Sequence, residues 1–344
     1  MKLSLPLNKN DKAERKTEKQ KVEERREEVL SRGKKFKYPL QYAKHRLVIN
    51  TLIVAFVAIV VLITAGWAAL YKFGDMGDIM YRISYVVPVP VAKVDGKRVR
   101  FSDYLMAARS SLTTLEQQSG LENNAEDKAA MTAQYKRSAL TRAEDLTYAL
   151  KLGEELGLEV PDEEIQAAFD EHRRVGGADR SEESFLKVLS TNFGLSKREY
   201  QRMLYLALMR AKVEQTIDSE ANRLADSVEA KLASSGGDFG AVRDEFGDKV
   251  VYENTGGLID NKNVDSGRSG AASGLAVGER TGKILSSNGD GYYFVKLLGK
   301  NETQVHYESL YIRFTEFDRR LAELRASDKI KEYISLEEIS QTNE

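Results

Sequence analysis

The sequence predicts an α+β protein with a single transmembrane helix, a mainly helical domain after it, and a smaller α+β domain at the end. Three observations lead there. Residues 47–70 carry no formal charge. Residues 103–225 place apolar side chains at three- and four-residue spacing, the helical period. From Ser234 onward, glycine, serine and short β-patterned runs replace that period.

The first stretch, LVINTLIVAFVAIVVLITAGWAAL, is broken only by Asn50, Thr51, Thr64 and Gly66. At about 1.5 Å per residue its 24 residues reach about 36 Å, enough for a hydrocarbon core of about 30 Å. A helix also satisfies its own backbone groups in lipid. A buried core helix of this length would show a polar stripe, and a signal-peptide apolar region is shorter. Trp67 and Tyr71 at the far end suit the headgroup layer. Between Ser31 and Arg46 stand six basic residues and no acid, so the positive-inside rule puts the N-terminus in the cytoplasm and the rest outside the cell membrane. The long charged region before the span favours an uncleaved signal anchor, while Ala65, Gly66, Ala68 and Ala69 leave cleavage open.

The near-zero net charge hides an asymmetry. Residues 1–46 hold 15 Lys/Arg against 7 Asp/Glu; the remainder holds 37 against 46, a net −9. An acidic exterior part argues against a nucleic-acid partner there. With no cysteine and three scattered histidines (His45, His172, His306), disulfides, a thiol nucleophile and a histidine-based metal site are excluded as readings, and no cofactor is expected. No nucleophile–histidine–acid signature and no glycine-rich phosphate loop supports a hydrolase or nucleotide enzyme.

In chain order, residues 1–46 form a charged cytoplasmic tail whose polar part, 10–33, is either a solvated helix or disordered. Residues 71–90 read as a linker, stiffened by Pro88 and Pro90. Asp95-Gly96 between two β runs predicts a hairpin, and Ser102 is a candidate cap for a helix over 103–117. After a polar linker at 118–125, a helix over 126–156 ends at Gly157, with Leu140, Ala143, Leu146, Leu150, Gly153 and Leu156 as its core stripe. Asp162 caps the next helix, and the loop VGGADRS ends it. A helix with Phe185, Val188 and Leu189 follows. Ser196 and Glu199 form a capping box opening a helix that runs to about residue 233. Beyond it come a short helix from Phe239, strands at 249–252, 292–298 and 305–314, a mobile loop at 260–274, and a helix over 316–334. The domains are then 91–225 and 226–337, with 338–344 as a tail.

The run from Met203 to Met209 is apolar nearly all round, so it must be buried on every face or offer one to a partner. Methionine suits surfaces that accept varied ligands. Tyr200, Met203, Leu204, Tyr205, Leu208 and Met209 are therefore the candidate peptide-binding residues, with plain core packing as the competing reading.

Three segments in order resemble the SurA/PpiD/PrsA type of extracytoplasmic chaperone: VAKVDGKRVRFSDYL, ALKLGEELGLEVPDEEIQAAF and FLKVLSTNFGLSKREYQRML. The single span before them looks most like the PpiD arrangement. The last part resembles a parvulin prolyl isomerase domain less closely, through Asp238-Phe239, Gly256-Gly257-Leu258 and Gly291-Tyr292. The family's first strand is missing from its usual place, and Ser309–Ile312 would fill its slot from behind in a circularly permuted or truncated module. On that alignment Tyr293 and Ser309 stand where the family has its two pocket histidines, and no Met or Phe lies between Leu258 and Tyr293 to wall the pocket. The resemblance implies a membrane-anchored holdase for unfolded or newly translocated polypeptides, with the protein translocase as a further partner, lipid contacted through residues 47–70, and a degenerate isomerase site. An active prolyl isomerase and a structural scaffold for one envelope partner are the alternatives.

Overall fold

The computed structural model describes residues 9–72, 77–117, 125–174, 180–334 and 336, and the chain divides into two units, Met1–Ala68 and Ala69–Glu344. The expected polar linker at 118–125, most of the loop VGGADRS and the tail 338–344 lie largely or wholly outside the described residues.

The first unit is one helix, α1 (Lys9–Trp67). Among the described residues, His45–Lys72 is the one helix long and apolar enough to cross a membrane, with a mean hydropathy of 2.9 and an 18-residue stretch of which none is buried. Its large apolar side chains are open: Leu62 is 71% exposed and Phe56 67%. A core helix would bury them.

The second unit begins where a linker was expected. A π turn at Ala68–Lys72 and α2 (Asp78–Val86) occupy most of residues 71–90. Leu70 is buried in the main core. Tyr71 turns inward too: its ring meets Phe101 edge-on at 5.8 Å and its hydroxyl donates to the Pro90 carbonyl at 2.5 Å. The linker reading is thus corrected, as is the placing of Leu70 and Tyr71 at a lipid boundary. Both have better partners within the fold.

Next comes the hairpin, β1 (Pro90–Val94) and β2 (Lys97–Arg100). Asp95 and Gly96 have φ of 43° and 91°, the two left-handed residues that a tight hairpin turn requires. α3 (Phe101–Gln117) starts directly at Phe101, so Ser102 lies inside the helix, buried, rather than capping it. α4 (Ala125–Glu155) follows. Its buried positions centre on Leu140, Ala143, Thr147, Tyr148, Ala149 and Leu152, whereas Leu146 and Leu150 are half-buried and Leu156 is exposed. The buried arc is rotated and widened from the expected stripe because α4 packs on α3, on the hairpin and on a later helix, α7 (Lys197–Ile217). Between them run α5 (Asp162–Arg173), with Pro161 instead of Asp162 at its cap, and α6 (Glu182–Phe193), capped by Ser181. The capping box of Ser196 and Glu199 opens α7. Arg202 on α7 makes a two-pronged ion pair with Asp103 on α3, at 3.2 and 2.8 Å.

The helix expected to continue to residue 233 breaks at Asp218, where α8 (Ser219–Ser234) begins. Asp218 is 2% exposed. One carboxylate oxygen accepts from Ala221 N at 2.9 Å, and the other from Thr315 N at 2.7 Å and Glu316 N at 3.1 Å. It therefore caps both α8 and a helix near the end of the chain, α11 (Glu316–Ala326).

Between those two helices lie α9 (Phe239–Phe246), β3 (Val251–Asn254), β4 (Ile259–Asp260), α10 (Arg268–Ser273), β5 (Ile284–Leu285), β6 (Gly291–Lys300) and β7 (Gln304–Arg313). The strands form one antiparallel sheet in the order β3-β7-β6-β5, with β4 on the far end of β7. β6 and β7 are covered on both faces, which explains the continuous apolar run of β6. Tyr292, Phe294, Leu310 and Ile312 face α8 and α9; Tyr293, Val295, Leu297, Val305 and Tyr307 face α10. The 260–274 segment expected as a loop carries α10.

The predicted C-terminal helix 316–334 is shorter. After α11 the chain forms β8 (Ile330–Glu332), which pairs antiparallel with β1, giving a second sheet in the order β2-β1-β8. Phe317, Leu321, Leu324 and Ile334 enter the core made by α3, α4 and α7. The boundary expected at 225/226 therefore does not separate two independent cores: residues 316–334 complete the helical part. Beside this seam Glu144 on α4 is buried and one of its carboxylate oxygens has no hydrogen-bond partner. Burial, with the nearby Glu332 charge, pushes its pKa up to about 7.

Replacing Asp218 by Ala removes two helix caps and leaves buried N–H groups unpaired, an expected loss of about 2–4 kcal/mol; Asn, which keeps an acceptor oxygen, costs less than half of that. Urea denaturation of the full chain in detergent, followed by circular dichroism, checks both. For Glu144 the folded state holds the proton more tightly than the unfolded state, so stability falls as pH rises from the ordinary carboxylate range through about 7. Glu144→Gln is expected to stabilise by about 2 kcal/mol at pH 8 and by under about 1 kcal/mol at pH 5. Equal gains at both pH values would contradict this assignment.

Candidate functional site

Two places gather the side chains that the sequence singled out. The first is α7. Leu204 is buried with Phe169, Phe185 and Leu189, and Met209 is buried in the main core. Met209 presses on α4 so closely that a Cβ at Gly153 would collide with its sulfur. Tyr200, Met203, Tyr205 and Leu208 are half-buried. The Tyr200 hydroxyl meets His172 Nδ1 at 2.6 Å, and its ring packs edge-on against Phe169 and Phe185. The six candidates thus do not form one open apolar face. Leu204 and Met209 support the helix from beneath, and only parts of the other four reach the surface.

A cleft of about 510 Å³ runs beside α7, where α4 faces the loop at 288–290. Thr141 and Leu146 of α4, Ala207 and Ala211 of α7, and Asn288 and Asp290 of the loop contribute to its walls. Gly289 rests against Ala211 so tightly that no side chain would fit there. The cleft also carries charge of both signs. Arg210 pairs with Glu214 at 2.6 Å and Arg325 with Asp145 at 2.7 Å. Burial raises the pKa of Glu214 and of Asp145 in spite of these arginines. Sequence reasoning missed this cleft because its walls come from three segments far apart in the chain, each ordinary by itself.

The second place is the face of the larger sheet beneath α10. Tyr293 on β6 and Ser309 on β7 lie on the same side of the sheet, and both are buried. The Tyr293 ring stacks on Tyr311 at 4.5 Å, and the Arg268 guanidinium lies 4.9 Å from its centroid. Arg268 also reaches Ser309 Oγ at 3.5 Å and pairs with Glu253. Alongside, Asp265 is buried and accepts from the Tyr307 hydroxyl at 2.6 Å and from Ser269. Burial, then the Asp265 hydrogen bond, raises the Tyr307 pKa. A pocket of about 350 Å³ opens here, lined by Glu253, Asn254, Thr255, Ile259, Asn263, Asp265, Arg268 and Tyr307. Tyr293 and Ser309 share a sheet face and both meet Arg268, but neither lines this pocket, and the alignment did not reveal Arg268 or Asp265, which do. Among the described residues no group of three His, Cys, Asp or Glu side chains is placed to hold a metal ion.

The family described as the SurA-like N-terminal domain matches residues 40–214. That interval starts just before the apolar helix and ends within α7, and it covers half of the chain. The chain belongs to this family. The SurA-like region therefore contains the apolar helix, the hairpin and α2 to α7, including every candidate on α7. Residues 215–344, with the larger sheet and its pocket, lie outside it. No curated protein and no solved structure matches the chain.

Proposed function

We propose that this SurA-like protein is a membrane-anchored extracytoplasmic holdase that takes up unfolded or newly translocated polypeptides. The SurA-like family match is the observation that carries this reading. Three features support it further. The helix at 45–72 exposes an apolar surface of spanning length, and the basic flank before it fits a cytoplasmic N-terminus. Tyr200, Met203, Tyr205 and Leu208 give α7 a partly open, methionine-containing surface of the kind that tolerates varied side chains. The neighbouring cleft pairs apolar Leu146, Ala207 and Ala211 with backbone and side-chain polar groups, which suits an extended peptide segment. The protein translocase is a fitting partner, because an anchor in the same membrane keeps this surface available to emerging clients.

The sheet module is, on this reading, a non-catalytic parvulin-like module. β7 lies antiparallel along β6, as a strand moved from the front of the module to its back would. Prolyl isomerisation needs a shaped, partly dry pocket around the X–Pro bond. Here Arg268 covers Tyr293 and contacts Ser309, and the lining is polar and charged.

Two measurements on the full chain in lipid nanodiscs test the proposal. Stoichiometric protein is expected to lengthen the aggregation half-time of chemically denatured citrate synthase several-fold, and Met203→Asn with Leu208→Asn is expected to remove most of that protection while circular dichroism shows an intact fold. Absence of protection by the unsubstituted protein would sink the holdase reading. In proline-limited refolding of ribonuclease T1, a hundredth of an equivalent is expected to leave the slow phase unchanged; acceleration would establish an active isomerase instead.

A further inference from the structure

Helix α2 is a short element with two different faces. Its inner side is held by Tyr81 and Ser84, both buried, and by half-buried Met80 and Tyr85. Its outer side presents Ile79, Ile83 and Val86, spaced i, i+4, i+7 along one stripe, with exposures of 71%, 43% and 81%. Val87 extends the stripe, 51% exposed. Such a run on a nine-residue helix costs free energy in water and calls for a covering surface.

Next to this stripe is a basic groove. Arg82 and Val86 of α2 line it together with Tyr81, Tyr85, Arg109 of α3, and Ser196, Arg198 and Glu199 at the start of α7, around a volume of about 430 Å³. Arg109 is stacked 4.6 Å from the Tyr81 ring centroid and Arg198 5.0 Å from that of Tyr85, so both guanidinium groups are oriented by aromatic faces. Burial by itself would raise the pKa of Glu199; hydrogen bonds from Ser196 and Tyr81 and the Arg109 charge overcome it and hold the carboxyl below its ordinary value. Among the described lining residues three arginines stand against one glutamate, inside a part of the chain that is net acidic. Guanidinium groups fixed in this way suit phosphate oxygens.

Position then selects the occupant. The openly apolar surface ends at Trp67, Ala68–Lys72 adds one helical turn and α2 starts at Asp78, so chain length keeps α2 within about 30 Å of the point where the helix leaves the bilayer. An amphipathic helix with an apolar stripe and flanking arginines, tethered that near to a membrane surface, has the make-up of an interfacial element. We propose that α2 docks on the outer bilayer surface, with Ile79, Ile83 and Val86 in the acyl–headgroup boundary and the groove of Arg82, Arg109 and Arg198 holding the phosphate of an anionic phospholipid. The inference rests on the membrane anchor of the preceding subsection. Its consequence is that the peptide-binding surface is held at a fixed height and tilt instead of swinging on a tether.

The absence of cysteine makes the test direct. Single cysteines are introduced by Ile79→Cys, Val86→Cys, Val57→Cys in the span and Val264→Cys, a 95% exposed site on the sheet module. Each full-length variant is labelled with bimane in nanodiscs carrying a doxyl-lipid quencher, with either neutral lipid alone or added phosphatidylglycerol. Labels at 79 and 86 are expected to be quenched strongly and the label at 264 hardly at all. Quenching at 79 and 86 is expected to rise with phosphatidylglycerol. Arg82→Ala and Arg198→Ala are each expected to lower the docked-to-free ratio about fivefold, from about 1 kcal/mol per arginine near an anionic surface. If the label at 57 is quenched while those at 79 and 86 match 264, the docking proposal fails and the anchor stands. If 57 is not quenched, the anchor reading fails and takes the docking proposal with it. Quenching at 79 and 86 that ignores both phosphatidylglycerol and the arginine substitutions overturns the headgroup site.

Discussion

A single buried carboxylate ties the start of the sheet module to the helix that follows it, almost a hundred residues further on. Asp218 ends α7, starts α8, and reaches across to the two backbone N–H groups that start α11. The α8 side of that junction carries the larger sheet, and the α11 side returns the chain to the helical core. Two helix N-termini converging on one oxygen pair supply partial positive charge from both sides. Among the described residues its hydrogen-bond partners are three backbone N–H groups, so the buried carboxylate is met by backbone dipoles.

Around that junction the second unit is one interlocked body in place of two domains on a string. α8, α9 and the larger sheet form a layered insertion between α7 and α11. The helical core is completed only by Phe317, Leu321 and Leu324 of α11 and by β8 against β1. The same economy applies at the other end of the unit. Leu70 and Tyr71, which look like the last residues of an apolar span, serve as core residues under Phe101 and Pro90. The described parts of the segment expected as a spacer belong to the fold.

How much of this was legible in the sequence depended on how local each cause is. The Asp95-Gly96 turn, the left-handed Gly157 and the capping box of Ser196 and Glu199 are decided by a few adjacent residues, and each stands where the residues put it. The break at Asp218 is only partly local: its side chain caps α8 through Ala221 N, but its other oxygen is held by a pair of N–H groups almost a hundred residues away. The Ile-Lys-Glu triplet of β8 is too short to carry a strand signature and is a strand because β1 offers an open edge. On α4, three packing partners rotate the buried arc away from the leucine stripe that periodicity suggests. The sites follow the same division. Tyr293 and Ser309 were found through sequence resemblance, whereas Arg268 between them carries no pattern of its own. On α7, periodicity marked the apolar residues but could not tell Leu204 and Met209, which are buried, from Met203 and Leu208, which reach the surface.

The pairing of β8 with β1 also sets a clock. β1 is made near residue 90 and its partner strand near residue 330, so a chain appearing N-terminus first keeps the edge of its first hairpin unpaired, and the pocket for Phe317 and Leu321 unfilled, for most of its synthesis. Contacts of such long range are slow to close. The protein must therefore pass through a period in which it resembles an unfinished client itself, with the same kind of exposed apolar surface and strand edge. Its helical core closes not when residues 91–225 have been made, but when α11 and β8 arrive.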